Sequence, residues 1–105
     1  MKLVSAALTA AALAATGLSH AQSPEDLLKK YACTACHAID KKVVGPAYHD
    51  VAVKYRGDAK APAMLMEKVK KGSVGTWGQV AMPPNPSVPD GDIKTLVAYI
   101  LALKK

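Results

Sequence analysis

Cys33-Thr34-Ala35-Cys36-His37 is the stretch of sequence that decides the fold. Two thiols separated by two residues and followed at once by a histidine form the C-x-x-C-H pattern at which c-type haem is attached. The thiols can add to the two vinyl groups of one porphyrin, and a spacing of three residues brings both sulfurs to the same side of a helical turn. His37 would then lie under the iron, where a neutral imidazole nitrogen can bind it. The pattern therefore predicts a covalent haem, whose function depends on the second axial ligand.

The first segment of the chain predicts a secretory signal peptide. Lys2 gives a positive start, an apolar but Ala-rich run follows, and Ser19-His20-Ala21 supplies the small residues of a cleavage site. An uncleaved membrane anchor is the alternative, but the run is shorter and less apolar than the ~20 residues that a spanning helix needs. We therefore expect residues 1–21 to be removed and residues 22–105 to form one domain in the periplasm.

Charge and size narrow the classes of function. The full chain of 105 residues carries a formal net charge of +6, with one Trp, no Phe and no basic run longer than two residues. This composition does not favour nucleic-acid binding, and positive charge on an exported protein more often serves docking to acidic partners. A domain this small buries only about 60–65% of its unfolded surface. A covalent porphyrin would therefore supply much of its apolar core.

Helical periodicity predicts four helices and no confident strand, which indicates an all-α fold. The helices are expected at residues 24–35, with the C-x-x-C-H motif at the end, and at 47–55, 62–71 and 90–103. Residues 73–89 contain two glycines and four prolines and predict a long irregular loop. A loop of this length in a small domain is usually functional or disordered, and its apolar residues favour a packed, functional loop.

Four residues are candidates for the second axial ligand: His49, Met64, Met66 and Met82. Met64 and Met66 lie on a predicted helix, where methionine usually fills gaps in the core. His49 comes only 12 residues after His37 and would have to reach the opposite face of the haem. A solvated surface histidine is the more ordinary interpretation of that residue.

Met82 differs from the other candidates because it lies in the predicted loop. A loop can cross a flat cofactor where a helix cannot. Pro83 and Pro84 follow directly, and they restrict the backbone and remove two N–H donors. The sequence therefore favours Met82, with the other three candidates still open.

Several motifs outside Cys33–His37 occur in a family-specific order and at matching intervals. They are Val44-Gly45-Pro46-Ala47-Tyr48, the Gly75-x-Trp77-Gly78 step and Met82-Pro83-Pro84-Asn85. In these motifs the chain resembles the small bacterial class I cytochromes c, of the cytochrome c-551 type, over residues 22–105. The resemblance implies a class I cytochrome c domain with about four helices packed around one covalently bound haem.

The resemblance also implies the ligands of the haem c. Cys33 and Cys36 would carry the thioether bonds, His37 would be the proximal ligand and Met82 the second axial ligand. The carbonyl of Pro46 would accept a hydrogen bond from the other nitrogen of His37, which orients a metal-bound imidazole.

Three further residues receive roles from the resemblance alone. Trp77 would donate its indole N–H to a haem propionate, although a lone tryptophan is otherwise more often a core aromatic. Lys68 would lie near the same propionate, at a position where Arg is familiar in the family. Asn85 would approach the sulfur of Met82.

A His/Met pair fills both axial positions, so it leaves no open site for a substrate and raises the reduction potential. We therefore expect not an enzyme but a soluble one-electron carrier. It would act between a quinol-oxidising complex or another cytochrome and a terminal reductase or oxidase, such as a nitrite reductase or a cytochrome oxidase. Two alternatives are a haem enzyme or gas sensor with an open sixth position, and a thioredoxin-like dithiol protein that uses Cys33 and Cys36.

Redox partners are expected to dock where a haem edge reaches the surface. The residues predicted to form an apolar patch there are Val43, Val80, Ala81 and Pro83. The lysines available for electrostatic steering around it are Lys29, Lys30, Lys41 and Lys42. We expect a monomer with no nucleic-acid partner and no membrane span after cleavage of the signal peptide.

Overall fold

Four α-helices and a two-stranded antiparallel hairpin make up the part of the chain that the computed structural model describes, residues 22–104. The predicted signal peptide lies outside the described residues. The elements in chain order are α1 (Pro24–Lys30), a 3-10 turn (Cys33–Ala35), α2 (Tyr48–Lys54), α3 (Ala61–Lys71), β1 (Ser73–Gly75), β2 (Gly78–Met82) and α4 (Asp90–Leu101). The four predicted helices are all present. None of the helices in this range is both long and apolar enough to span a membrane.

The first helix is shorter than the sequence predicts. Ser23 caps its start by accepting a hydrogen bond from the backbone N–H of Asp26 at 3.2 Å. The helix ends at Lys30, and Ala32 then adopts a left-handed backbone conformation with φ of 59°. The expectation of a continuous helix to residue 34 or 35 was wrong, because alanine is a good helix former and gives no local signal for this turn. The left-handed residue costs roughly 1–2 kcal/mol and redirects the chain into the C-x-x-C-H motif.

The segment predicted to be an irregular loop begins with a β-hairpin. Strands β1 and β2 pair antiparallel, with Ser73 opposite Met82 and Gly75 opposite Gly78, and the register shifts between the two pairs. The expectation of a wholly irregular segment was wrong for this half. Both glycines have positive φ, 102° and 112°, and so close the tight turn. All four prolines of the segment come at or after residue 83, beyond the end of β2, so they do not interrupt the strands.

Helix α4 is the centre of the packing, and it contacts α1, α2 and α3. Its buried side chains are Ile93, Leu96, Val97 and Ile100. The start of α4 is held by polar contacts as well. The hydroxyl of Tyr31 donates to the Asp92 carboxylate, and Lys70 Nζ donates to the Val88 carbonyl at 2.8 Å and pairs with Asp90 at 3.0 Å. These contacts tie α1 and the end of α3 to α4. The hairpin lines a cleft together with residues of the helices and of the C-x-x-C-H motif.

Candidate functional site

His37 is held in a defined orientation by its neighbours. Its Nδ1 lies 2.8 Å from the backbone oxygen of Pro46, and its ring stacks on Tyr48 with a centroid distance of 4.8 Å. Because a carbonyl oxygen can only accept, the proton of the neutral imidazole must lie on Nδ1. Nε2 then keeps its lone pair, which is the form in which an imidazole binds a metal.

Gly45 makes this orientation possible. A Cβ atom at Gly45 would lie 2.5 Å from Cε1 of His37, well inside the closest approach of real Cβ contacts. The backbone N–H of Gly45 also donates to the carbonyl of Cys36 at 2.7 Å. The chain therefore folds back directly over the imidazole. Gly45 was not among the predicted site residues, although the Gly45-Pro46 pair was a signal that could have indicated it.

One cavity of about 400 Å³ lies between the motif and the hairpin. Its volume is within the range of small-molecule and cofactor sites. All eight residues predicted for the site line it: Cys33, Cys36, His37, Pro46, Lys68, Trp77, Met82 and Asn85. The alternative axial candidates His49, Met64 and Met66 are not among its lining residues.

The two cysteines are free thiols and are partly buried. Burial raises the pKa of the Cys33 thiol, and a contact with the Tyr48 hydroxyl acts in the opposite direction. Burial and the neighbouring Cys33 likewise raise the pKa of Tyr48. A reactive redox dithiol needs a lowered thiol pKa, so the environment of Cys33 does not favour a thioredoxin-like chemistry.

Met82 is the last residue of β2, and the chain after it is tied to the end of α3. The backbone N–H of Asn85 lies 3.1 Å from the Val69 carbonyl and 3.2 Å from the Lys70 carbonyl. The side-chain amide of Asn85 donates to the carbonyls of Val69 and Pro83, both at 3.2 Å. These two carbonyls, and not the Met82 sulfur, are the partners of the amide nitrogen, so the approach of Asn85 to the sulfur stays a prediction.

Trp77 and Lys68 both line the cavity. Lys68 Nζ donates to Thr76 Oγ1 at 2.8 Å, next to the tryptophan in the hairpin turn. Trp77 is 42% exposed, and it lines the cavity rather than packing in the helical core. The ammonium of Lys54 lies 5.6 Å from the indole centroid and 5.8 Å from that of Tyr55, within cation–π distance of both rings. Lys54 therefore holds the turn against α2, a contact that the sequence analysis missed because it joins distant residues.

Apolar side chains are exposed around the cavity. Val43 is 47% and Val80 is 69% exposed, and Ala81 and Pro83 are exposed as well. Val74 is 65% exposed on the hairpin and lines the cavity. The four lysines predicted for steering, Lys29, Lys30, Lys41 and Lys42, are all exposed.

Comparison with known proteins gives consistent matches. A family model described as cytochrome C oxidase, cbb3-type, subunit III, matches residues 19–100. Cytochrome c-551 of Allochromatium vinosum is 58% identical over 77 residues, which are 73% of this chain and 82% of that protein. Cytochrome c-552 of Nitrosomonas europaea is 49% identical over 96 residues, 91% of this chain and 93% of that protein. The crystal structure of wild-type Nitrosomonas europaea cytochrome c552 matches with a TM-score of 0.74 at 51% identity, covering 76% of this chain and 99% of that one.

The fold is that of a small class I c-type cytochrome. Within that class the chain belongs to the family of the small cytochromes c-551 and c-552. Membership implies a covalently bound haem c, and cytochromes c are electron-transfer proteins rather than enzymes. The predicted family, the helical fold class and the class of function are thus confirmed.

The residues present fit this group. Two free thiols three residues apart adjoin an imidazole that is fixed through Nδ1, and all three side chains line one apolar cavity. The close approach of Gly45 to the ring gives that imidazole little freedom to turn.

Proposed function

We propose that the chain is a periplasmic one-electron carrier in which Cys33 and Cys36 hold one haem c and His37 and Met82 bind its iron. The observation that supports this ligand set is the shared cavity: the two cysteines, His37 and Met82 line it, and the other candidate ligands do not. When bound, the haem supplies a single Fe(III)/Fe(II) couple.

The chain's own residues would control that couple in four ways. Pro46 holds the proton on Nδ1 of His37, so that Nε2 is always available to the iron. The thioether of Met82 favours the ferrous state, and so do the apolar walls, because they disfavour an added positive charge. Since both ligands belong to segments fixed by backbone hydrogen bonds, the two redox states keep the same shape and little reorganisation accompanies transfer.

Partners would dock on the exposed apolar surface formed by Val43, Val80, Ala81 and Pro83. Such a patch excludes water at the point of contact, while the lysines around it attract acidic partners over a longer range. A quinol-oxidising complex or another cytochrome would donate electrons, and a terminal reductase or oxidase would accept them. We propose that the carrier works as a monomer, exported by residues 1–21.

Carbon monoxide binding to the ferrous protein tests the proposal against a haem enzyme or sensor with an open sixth position. The purified wild type is compared with Met82→Ala and with Met64→Ala, which truncates a methionine of α3 that packs on the core and does not line the cavity. We expect slow, weak binding by the wild type and Met64→Ala, and rapid binding by Met82→Ala. Rapid binding by the wild type would support the open-site alternative instead.

A further inference from the structure

Gly72, at the end of α3, touches the segment that carries Met82. It has φ of 80° and ψ of 170°, a backbone conformation that is essentially restricted to glycine. A Cβ atom there would lie 2.6 Å from the Met82 carbonyl oxygen, 3.0 Å from Pro84 N and 3.2 Å from the Pro83 carbonyl carbon. All three atoms belong to the backbone, so they cannot move aside as the end of a flexible side chain would.

The Met82 segment cannot absorb such a contact locally. On one side, Met82 is paired with Ser73 in the hairpin. On the other, the backbone N–H of Asn85 is bound to the carbonyls of Val69 and Lys70 in the last turns of α3. Two prolines between these anchors fix φ, and neither has a backbone N–H to donate. An added atom at residue 72 therefore requires a backbone shift where the end of α3 meets Met82–Pro84.

We propose that Gly72 is a positioning residue for Met82. Because it has no side chain, the Met82–Pro84 backbone lies directly against the end of α3, and this contact sets how far the thioether reaches into the cavity. The inference rests on the proposed role of Met82 as an axial ligand and goes beyond it, since neither the motifs nor the family resemblance gave Gly72 a role.

Gly57 provides a matched control for the loss of glycine. Its φ is 79°, within one degree of that of Gly72, but a Cβ atom there would have no neighbour within 4 Å. Gly72→Ala and Gly57→Ala therefore both place alanine at a positive φ, and only the first brings an atom against the Met82 segment. A change at the iron that only Gly72→Ala shows therefore reports an effect on the Met82 segment, and not the general cost of placing alanine at a positive φ.

The test is the affinity of the ferric protein for cyanide, which displaces a weak thioether from the iron. We expect Gly72→Ala to bind cyanide about tenfold or more tightly than the wild type, since overpacking that forces a backbone shift is relieved when Met82 leaves. Its near-infrared methionine–iron charge-transfer band should weaken in parallel. Gly57→Ala should match the wild type in both measurements, even though it also loses stability. Wild-type affinity and an unchanged band in Gly72→Ala would overturn the proposal.

Refolding by cyanide and the Met82→Ala variant test the proposal further. If Gly72→Ala does not fold, we expect cyanide to restore its helical circular dichroism, because the released segment can move away from residue 72. Failure of cyanide to restore the fold would show a purely structural role and contradict the proposal. Met82→Ala separates the two claims: if it matches the wild type in band and cyanide affinity, the ligand assignment itself fails. If Met82→Ala differs and Gly72→Ala does not, only the positioning role fails.

Discussion

The backbone carbonyl of Pro46 lies 2.8 Å from Nδ1 of His37, across a chain separation of nine residues. Proline has no backbone N–H, so its position in the chain offers only an acceptor. The proton on the imidazole is therefore fixed at Nδ1, and the nitrogen that faces a metal is fixed at Nε2. This one contact connects the fold of the loop after the motif to the chemistry of the site.

The first prediction concerns the close approach of Gly45 to the His37 ring. Gly45→Ala places a Cβ atom 2.5 Å from Cε1 of His37, and we expect it to lower the free energy of unfolding by about 1–3 kcal/mol, the usual cost of overpacking. Urea denaturation of the purified haem protein measures this. Gly91→Ala is the control, because a Cβ atom at that site in α4 meets nothing within 4 Å. Equal effects of the two substitutions would contradict the close approach.

The side chain of Asn85 gives the second prediction. Asn85→Ala removes two hydrogen bonds, to the carbonyls of Val69 and Pro83, and should lower stability by about 1–3 kcal/mol. The same urea denaturation is run on Thr95→Ala, which removes an exposed hydrogen bond to Gly91 in α4 and should change stability by less than about 0.5 kcal/mol. A loss for Asn85→Ala no greater than that of the control would mean that the amide does not tie the Met82 segment to α3.

The contact between Tyr31 and Asp92 gives a prediction about pH. The hydrogen bond to the carboxylate, followed by burial and the negative charge of Asp92, raises the pKa of Tyr31 above 10.0. A raised pKa contributes stability that is fully present below pH 10.0 and is lost as the pH rises through the folded-state pKa. The stability advantage of the wild type over Tyr31→Phe should therefore be constant between pH 7 and 9 and shrink above pH 10. Denaturation of the ferrous proteins across this range checks it, and an advantage that grows at high pH would contradict the assignment.

The docking surface gives the fourth prediction. Replacing Lys41 and Lys42 together with Gln should lower the association rate with an acidic redox partner several-fold at low salt and flatten its salt dependence. The control removes the same number of charges at Lys94 and Lys104, which are exposed and do not line the cavity. Stopped-flow oxidation of the ferrous protein measures both. The same reduction in both double variants would indicate a net-charge effect rather than a docking site at residues 41 and 42.

Much of the architecture could be predicted from local sequence signals. The C-x-x-C-H motif, the capped start at Ser23 and the apolar stripe of the last helix each depend on residues close together in the chain. All four helices were expected, and apart from the end of α1 at Lys30 the observed ends, such as Leu101 in place of residue 103, lie within two residues of the expected ones.

The features that sequence analysis missed depend on contacts between distant residues. Ala32 favours a helix by itself, and it is left-handed because the chain must turn there to bring the motif to the cavity. In the sequence, Gly45 and Gly72 resemble ordinary loop glycines. Only the structure shows that Gly45 contacts the ring of His37 and that Gly72 contacts the backbone of Met82. In the sequence, Lys54 resembles any surface lysine, because its ammonium comes over the Trp77 ring only in the folded chain.

The measurement that tests the central claim most directly is the near-infrared absorption spectrum of the purified ferric protein, in the wild type, Met82→Ala and Met64→Ala. Met64 is partly buried in α3 and packs on the core, so its truncation controls for the loss of a methionine side chain. We predict a methionine–iron charge-transfer band in the wild type and in Met64→Ala, and its absence in Met82→Ala. A band that survives in Met82→Ala, or that disappears in Met64→Ala alone, would contradict the assignment of Met82 as the axial ligand.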